Sequence, residues 1–115
     1  MKTEDEQKLL RIYVTEQDQW KGVPLYEAIV NEARALGMSG ATAIRGFLGF
    51  GRGACIHTTK LLELSYDLPV VIEIVDTEEK VKMLLPKLDE MIEEGLVTTQ
   101  IVHTIRHRGA TSKQA

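Results

Sequence analysis

Side chains that bind anions gather between residues 52 and 67. This segment contains Arg52, His57, Thr58, Thr59 and Lys60, and such donors suit phosphate or carboxylate groups. It joins two predicted neighbouring strands and is longer than the usual hairpin loop of about 2 to 5 residues. Excess loop of this kind is often functional. The alternative is that its apolar residues only extend the hairpin or pack at a subunit interface.

Two arginines near the carboxy terminus form a second candidate site. Arg106 and Arg108 flank His107, and residues two apart on an extended chain point to the same side. Both guanidinium groups are therefore able to grip one phosphate. The alternative is a solvated terminus, which is the commoner fate of such residues.

A glycine cluster precedes the long segment. With Gly49, Gly51 and Gly53, backbone N–H groups can approach an anion closely. The sequence is not a P-loop, because the Gly-Lys-Ser/Thr ending is absent, and no helix clearly follows the turn as a dinucleotide fingerprint requires. On spacing alone, a flexible hinge is the favoured interpretation.

Metal-binding and catalytic patterns are weak. Cys55 and His57 lie two residues apart, while His103 and His107 are scattered elsewhere; zinc sites usually need three or four ligands at tight spacing. We therefore predict no metal site, with three copies of one histidine meeting in a symmetric trimer as the remaining alternative. Cys55 has no clear activating group beyond His57, so we predict neither a catalytic residue nor an enzyme.

Length and composition restrict the protein class. The chain has 115 residues, which predicts a single domain spanning 1–115 with a tail at 109–115. A net charge of −3 and an aromatic content of 5% argue against a nucleic-acid partner. One cysteine excludes an internal disulfide and favours a reducing compartment. The acidic start and the lack of a long apolar run predict a cytoplasmic protein without membrane insertion.

Hydrophobic periodicity places these residues on elements. Two-residue alternation predicts strands at 10–15, 69–75 and 97–105. Residues 41–48 are interpreted as a further strand, which Gly46 interrupts with a bulge or a close backbone approach. Helical spacing predicts one helix from Pro24 to a left-handed cap at Gly37, and a second from Asp76 or Thr77 to Gly95. Pro86 predicts a kink or break within the second helix.

The element order β-α-β-β-α-β predicts an α+β ferredoxin-like sandwich, with a four-stranded antiparallel sheet and two helices on one face. The other sheet face then has no helix over it. Val71 and Val75 leave that face partly apolar, and an uncovered apolar face usually marks an interface. We therefore predict that the domain oligomerises through its sheet.

Several segments together resemble a known family. They are 24–29, 40–42, 49–52, 56–58, 67–76 and 106–109. Over about residues 8–108 the chain resembles the PII nitrogen-regulatory signal proteins, and more closely a group of uncharacterised PII-like proteins. The resemblance implies a ferredoxin-like fold, a compact PII-like homotrimer and intersubunit clefts that usually bind adenine nucleotides.

The resemblance also implies site residues. Those matching PII nucleotide contacts are Thr42, Gly49, Phe50, Gly51, Arg52, Arg106 and Arg108. The loop that touches partner proteins matches 53–67 and contains His57, Thr58, Thr59 and Lys60.

Departures from the PII pattern limit what is carried over. Val70 replaces a PII lysine, and an acidic helical stretch at 88–95 replaces the second phosphate loop. Fewer cations favour AMP or ADP over ATP. The expected function is regulatory signalling through the loop to a protein partner such as a membrane transporter. The alternatives are a trimeric cation-binding protein and a ligand-free scaffold or interaction subunit.

Overall fold

The computed structural model describes residues 1–51 and 67–109. The elements in chain order are β1 Lys2–Thr15, β2 Gln19–Trp20, β3 Val23–Pro24, α1 Leu25–Ala35, β4 Thr42–Arg45, β5 Pro69–Asp76, α2 Glu78–Met91 and β6 Leu96–His107. The main sheet has the order β4-β5-β1-β6, and every neighbouring pair is antiparallel. This is the predicted four-stranded α+β architecture.

Both helices pack on one face of the sheet, which we call the covered face. Strand alternation directs one set of side chains from β1 and β5 into this layer, where they meet the apolar stripes of α1 and α2. The buried core consists of Leu10, Ile12, Val14, Leu25, Ile29, Ala33, Val70, Ile72, Ile74, Val81, Leu84, Leu88 and Met91. The opposite set of side chains forms the uncovered face.

A two-residue hairpin turn precedes α1. Lys21 and Gly22 have φ angles of 49° and 86°, as a type I′ turn between β2 and β3 requires. Trp20 in this hairpin is half-buried against the core, with Lys21 Nζ 5.1 Å from the ring centroid. Helix α1 then starts directly after Pro24 and ends before Gly37, whose φ of 77° confirms the predicted left-handed cap.

Helix α2 starts at the predicted cap. The Thr77 hydroxyl accepts a hydrogen bond from Lys80 N at 3.2 Å. Of the kink or break predicted at Pro86, the break is wrong, because the helix continues to Met91. Pro86 is exposed, while Leu84 and Leu88 on either side of it are buried and hold the helix against the core.

Gly95 has a different role from the predicted cap. Helix α2 ends at Met91 with Ile92 as its C-cap, before Gly95. A Cβ at Gly95 would lie 2.9 Å from the carbonyl oxygen of Tyr13. The glycine therefore permits a close approach of two backbones and does not terminate the helix.

Strands β1 and β6 extend beyond the rest of the sheet. The β5 pairing with β1 stops at Lys8, whereas the β6 pairing continues to Lys2 opposite His107. The sequence predicted shorter strands here, because the acidic start of β1 has no apolar alternation. Long-range pairing with β6 creates the extra length as a two-stranded ribbon.

Candidate functional site

A groove opens beside the first residue of β4. Its volume is about 230 Å³, and it is lined by Ser39, Gly40, Ala41, Thr42, Glu73, Val75 and Arg106. The structure thus brings together two predicted ligand residues, Thr42 and Arg106, from β4 and β6.

Arg106 supplies the positive charge of the groove. It lies on β6 opposite Thr3 and is half-buried. Within residues 1–51 and 67–109, no carboxylate pairs with its guanidinium, whereas Arg11 and Arg45 each pair with a glutamate. A guanidinium in a groove that also presents hydroxyl groups is suited to an anion.

Glu73 brings a carboxylate to the same groove, but a neighbouring cation is bound to it. Its Oε2 accepts a hydrogen bond from Arg11 Nε at 2.8 Å, across the β1–β5 register pair. This hydrogen bond and the charge of Glu73 raise the pKa of Arg11. Because the Glu73 charge is compensated, Arg106 remains the cation able to attract a ligand.

The wall opposite β6 is the segment from Ser39 to Thr42. Ser39 is tied to the end of β5, through hydrogen bonds from its backbone N–H and hydroxyl to Asp76 Oδ2. Thr42 is held in the sheet opposite Glu73. Gly40 lies between these fixed points, and a Cβ there would meet no atom within 4 Å.

Sequence reasoning identified only part of this lining. Thr42 and Arg106 were predicted as ligand residues, and Gly40 and Ala41 fell within a family segment. Ser39 carried no sequence signal, because its importance depends on Asp76, which is distant in the chain. Glu73 was recognisable as the single charge in the apolar run 69–75, but nothing in the sequence placed it beside Arg106.

The predicted glycine turn lies at the other end of β4. Gly46 lies four positions after Thr42, which corresponds to about 13 Å along a strand. There Gly46 N donates to Pro69 O at 2.7 Å, and a Cβ at Gly49 would lie 3.1 Å from Pro69 Cγ. Phe50 is 83% exposed. Gly49, Phe50 and Gly51 therefore do not line the groove of their own chain.

This packing also shortens the second strand. Strand β4 ends at Arg45, not at residue 48 as predicted. The chain instead passes over the Pro69 ring, with Gly46 and Gly49 in close contact with it.

Arg108 and the long-segment residues do not line the groove either. Arg108 is exposed, and its backbone N–H and carbonyl bond to the carbonyl and amino group of Met1 at 2.9 and 3.0 Å. The remaining predicted residues lie outside the described parts of the chain; they are Arg52, His57, Thr58, Thr59 and Lys60.

The described residues contain no cluster of three side chains placed to hold a metal ion. The feature of the described residues that most resembles part of a metal site is the pair of His103 Nε2 and Glu4 Oε1, which lie 3.1 Å apart on the exposed ribbon. Neither α1 nor α2, the helices of residues 1–51 and 67–109, is long and apolar enough to cross a membrane.

Comparison with known sequences gives a family match over most of the chain. The model of the family DUF190, described as uncharacterized ACR, matches residues 7–104. A UPF0166 protein from Aquifex aeolicus is 39% identical over 98 residues, covering 85% of this chain and 92% of the relative. A UPF0166 protein from Methanocaldococcus jannaschii is 39% identical over 101 residues, covering 86% and 92%.

Comparison with solved structures gives PII-like proteins. The complex of CPII with ADP and bicarbonate, from Thiomonas intermedia, has a TM-score of 0.66 at 19% identity and covers 89% of this chain and 91% of CPII. Apo CPII, described as a nitrogen regulatory PII-like protein, has a TM-score of 0.63 at 18% identity, with coverage of 93% and 100%. A putative PII-like signaling protein from Thermus thermophilus has a TM-score of 0.58 at 18% identity, with coverage of 90% and 91%. At these identities the similarity shows a shared PII-like fold.

Proposed function

The chain belongs to the DUF190 family, and we propose that it is a PII-like regulatory protein that binds AMP or ADP between the subunits of a homotrimer. The observation that carries the proposal is the groove in which Thr42 and Arg106 converge. The guanidinium of Arg106 has no partner among the described residues and is available to a phosphate.

The size of the groove supports a site shared between subunits. Pockets for small organic ligands usually measure about 300 to 1,000 Å³, whereas this groove measures about 230 Å³. One chain therefore offers room for part of a nucleotide. The glycine turn of the family pattern lies beyond the far end of β4, so a neighbouring copy is the proposed source of the missing contacts.

The uncovered face supports association of identical chains. Neither α1 nor α2, the helices of the described residues, packs on it, and three of its large apolar residues are accessible there: Tyr13 is 37% exposed, Ile44 47% and Leu96 56%. Val71 and Val75 on the same face are half-buried. Exposed apolar surface of this kind is typical of interaction sites.

The fold neighbours support the choice of ligand. CPII structures contain ADP with bicarbonate, or ADP and AMP with bicarbonate. In this chain Arg106 is the single cation lining the groove, apart from residues outside the described ranges. One cation balances the charge of a mono- or diphosphate better than that of a triphosphate.

The proposed signal passes through residues 53–67. Nucleotide binding would change the surface that this segment presents to a cytoplasmic protein partner, such as the soluble side of a membrane transporter. This coupling requires that nucleotide binds the two states of the segment with different affinity. A nucleotide-dependent change in partner binding would therefore accompany the primary binding event.

Isothermal titration calorimetry with AMP, ADP and ATP tests the site. We expect wild-type protein to prefer AMP or ADP, and Arg106→Ala to weaken binding by about tenfold or more, since a charge-assisted bond is lost. Arg34→Ala is the matched control, because Arg34 is exposed on the last turn of α1 and does not line the groove. Absence of binding by wild type, or equal binding by Arg106→Ala, would contradict the proposal.

A further inference from the structure

A buried carboxylate lies behind the groove. Asp76 is 7% exposed and is the single buried polar or charged residue in the part of the chain that the structure describes. Its two oxygens serve different elements. Oδ1 accepts the Thr77 N–H at 2.7 Å, whereas Oδ2 accepts the Ser39 N–H at 2.8 Å. The Ser39 hydroxyl lies 3.2 Å from Oδ2 and 3.3 Å from the Val75 carbonyl oxygen, and its single proton is shared between these two acceptors.

The Ser39 contacts fix the last part of the connection between α1 and β4. Gly37 and Met38 are still tied to α1, because their N–H groups donate to the carbonyls of Arg34 and Ala33 at 3.0 and 3.1 Å, and the side chains of Met38 and Ala41 pack on the core. After Met38, the bonds of Ser39 are the polar contacts that hold the described backbone before Thr42 enters the sheet. Gly40 follows, and glycine has more backbone freedom to lose than any other residue. The path of the wall from Ser39 to Thr42 therefore depends strongly on the Ser39 anchor.

Capping of α2 does not by itself explain why the carboxyl group of Asp76 is buried here. Thr77 is the N-cap residue, and its hydroxyl accepts the Lys80 N–H. Oδ2 of Asp76 contributes nothing to that cap, since both of its donors belong to Ser39. Burying a carboxyl group is costly unless hydrogen-bond partners satisfy it, and here the groove wall provides the Ser39 N–H together with a hydroxyl that Asp76 shares with Val75 O.

We infer that Asp76 is a positioning residue of the ligand groove: its carboxylate holds Ser39, and through it the wall that ends at Thr42, in the shape that a nucleotide requires. Asp76 itself does not line the groove. This inference rests on the proposed function for the identity of the ligand. The anchoring of Ser39 has a separate readout that needs no ligand.

Replacement of the carboxylate by an amide separates the two sides of the contact. An asparagine amide has one acceptor oxygen and an NH₂ donor group, so it can accept from the N–H of Ser39 or from that of Thr77 but not from both. The orientation with the oxygen toward Thr77 is favoured, because the NH₂ group can then donate to the Ser39 hydroxyl oxygen, and the Ser39 N–H loses its acceptor. Ser39→Ala is a milder variant, because it removes the hydroxyl bond and keeps the backbone N–H bond. Thr77→Ala is the matched control, because it weakens the start of α2 without removing a bond to the wall.

The first measurement is amide hydrogen exchange by NMR without nucleotide. We expect Asp76→Asn to speed exchange at Ser39 by about tenfold or more, because that N–H loses its acceptor or its fixed geometry. Ser39→Ala should have a smaller effect at the same segment. Thr77→Ala should speed exchange at Lys80 and leave Ser39 as in wild type.

The second measurement is ADP titration of the same folded variants. We expect Asp76→Asn to bind ADP about tenfold more weakly than wild type, while Thr77→Ala binds as wild type does. A purely structural role predicts that both variants lose affinity in proportion to their loss of thermal stability. Should Asp76→Asn not fold, Ser39→Ala carries both measurements, with a smaller loss expected.

The outcomes distinguish this inference from the proposed function. Unchanged exchange at Ser39 in Asp76→Asn and Ser39→Ala would overturn the anchor, and wild-type affinity despite faster exchange would overturn positioning of the groove. If wild type does not bind ADP, the proposed function fails and the nucleotide role of Asp76 falls with it. Faster exchange in the variants would then still support Asp76 as the anchor of Ser39.

Discussion

The two faces of β5 differ sharply in how much of their side chains solvent can reach. Val70, Ile72 and Ile74 point to the covered face and are 3%, 0% and 1% exposed. Val71, Glu73 and Val75 alternate with them on the uncovered face and are all half-buried. One strand therefore contributes a dry core on one side and an accessible, mixed surface on the other.

This difference shows how the molecule divides stability from recognition. The covered face contains apolar side chains closed in by two helices, and burial of this kind dominates folding free energy. The uncovered face combines accessible apolar residues, the Arg11–Glu73 pair and the groove. We therefore expect substitutions on the first face to change folding, and those on the second to change association and binding.

The largest effect is expected for Ile72→Ala. Ile72 is fully buried, and removal of its side chain leaves a cavity that should lower the free energy of unfolding by about 2 to 5 kcal/mol. Val71→Ala, one residue along on the other face, should cost about 1 kcal/mol. Urea unfolding followed by circular dichroism measures both. Equal losses would remove the distinction between the faces.

A smaller effect is expected where the chain packs on the uncovered face at Pro69. A Cβ at Gly46 would lie 2.9 Å from Pro69 Cγ, and overpacking against a rigid ring usually costs about 1 to 3 kcal/mol. Gly51→Ala is the control, since a Cβ there meets nothing within 4 Å. Chemical unfolding should show Gly46→Ala as the less stable variant. The reverse ranking would contradict the close contact.

Association through the uncovered face should respond to a new charge. Ile44→Glu puts a carboxylate on this face at a residue that is 47% exposed. We expect the subunit dissociation constant to rise by about tenfold or more, because an interface core excludes unpaired charge. Met83→Glu, on α2 and 50% exposed, should keep the wild-type mass. Light scattering across a dilution series measures both variants, and a monomeric wild type would refute the trimer.

The smallest effect is expected for the Arg11–Glu73 pair. Both side chains are about one-third exposed, and a pair screened by solvent contributes little. A double-mutant cycle with Arg11→Ala and Glu73→Ala should give a coupling near the error of the unfolding measurement. A large coupling free energy would mean that the pair is shielded from solvent, and would contradict its accessible position.

The pH dependence of the Arg11–Glu73 pair follows from the direction in which the pKa of Arg11 is shifted. The hydrogen bond to Glu73 raises the pKa of Arg11 above its already high ordinary value. Stabilisation from a raised pKa is present below the unfolded pKa and disappears only as the pH rises through the folded one. The stability difference between wild type and Arg11→Ala should thus stay constant from roughly pH 6 to pH 9. A steady change over that range would contradict this origin.

The sequence was sufficient to predict the architecture, because the apolar residues of the covered face recur at regular strand or helix spacing. Ile12 and Ile72 belong to runs with a two-residue period, and Leu84 and Leu88 lie at helical spacing. Local patterns failed where a distant partner decides the structure. The acidic residues at the start of β1 form a strand because they pair with β6. Pro86 is tolerated inside α2 because buried residues on both sides of it pack on the core.

The site was less accessible to sequence reasoning, because a groove depends on the arrangement of several elements. Thr42 and Arg106 were predicted separately, but their convergence depends on the sheet order and on the path of β6. Ser39 acquires its place through a carboxylate on another strand. Gly49 and Arg106 were expected to act on one ligand at a cleft between subunits, and within one chain the groove contains Arg106 and not Gly49.

The position of Trp20 has a practical consequence for fluorescence measurements. It is the one tryptophan of the chain, and it packs beside the core at the start of α1 without lining the groove. Its emission should shift to longer wavelength when heat or urea loosens the helical layer. Nucleotide titrations should leave the indole signal almost unchanged, so a coloured or labelled ligand is the better optical probe of occupancy.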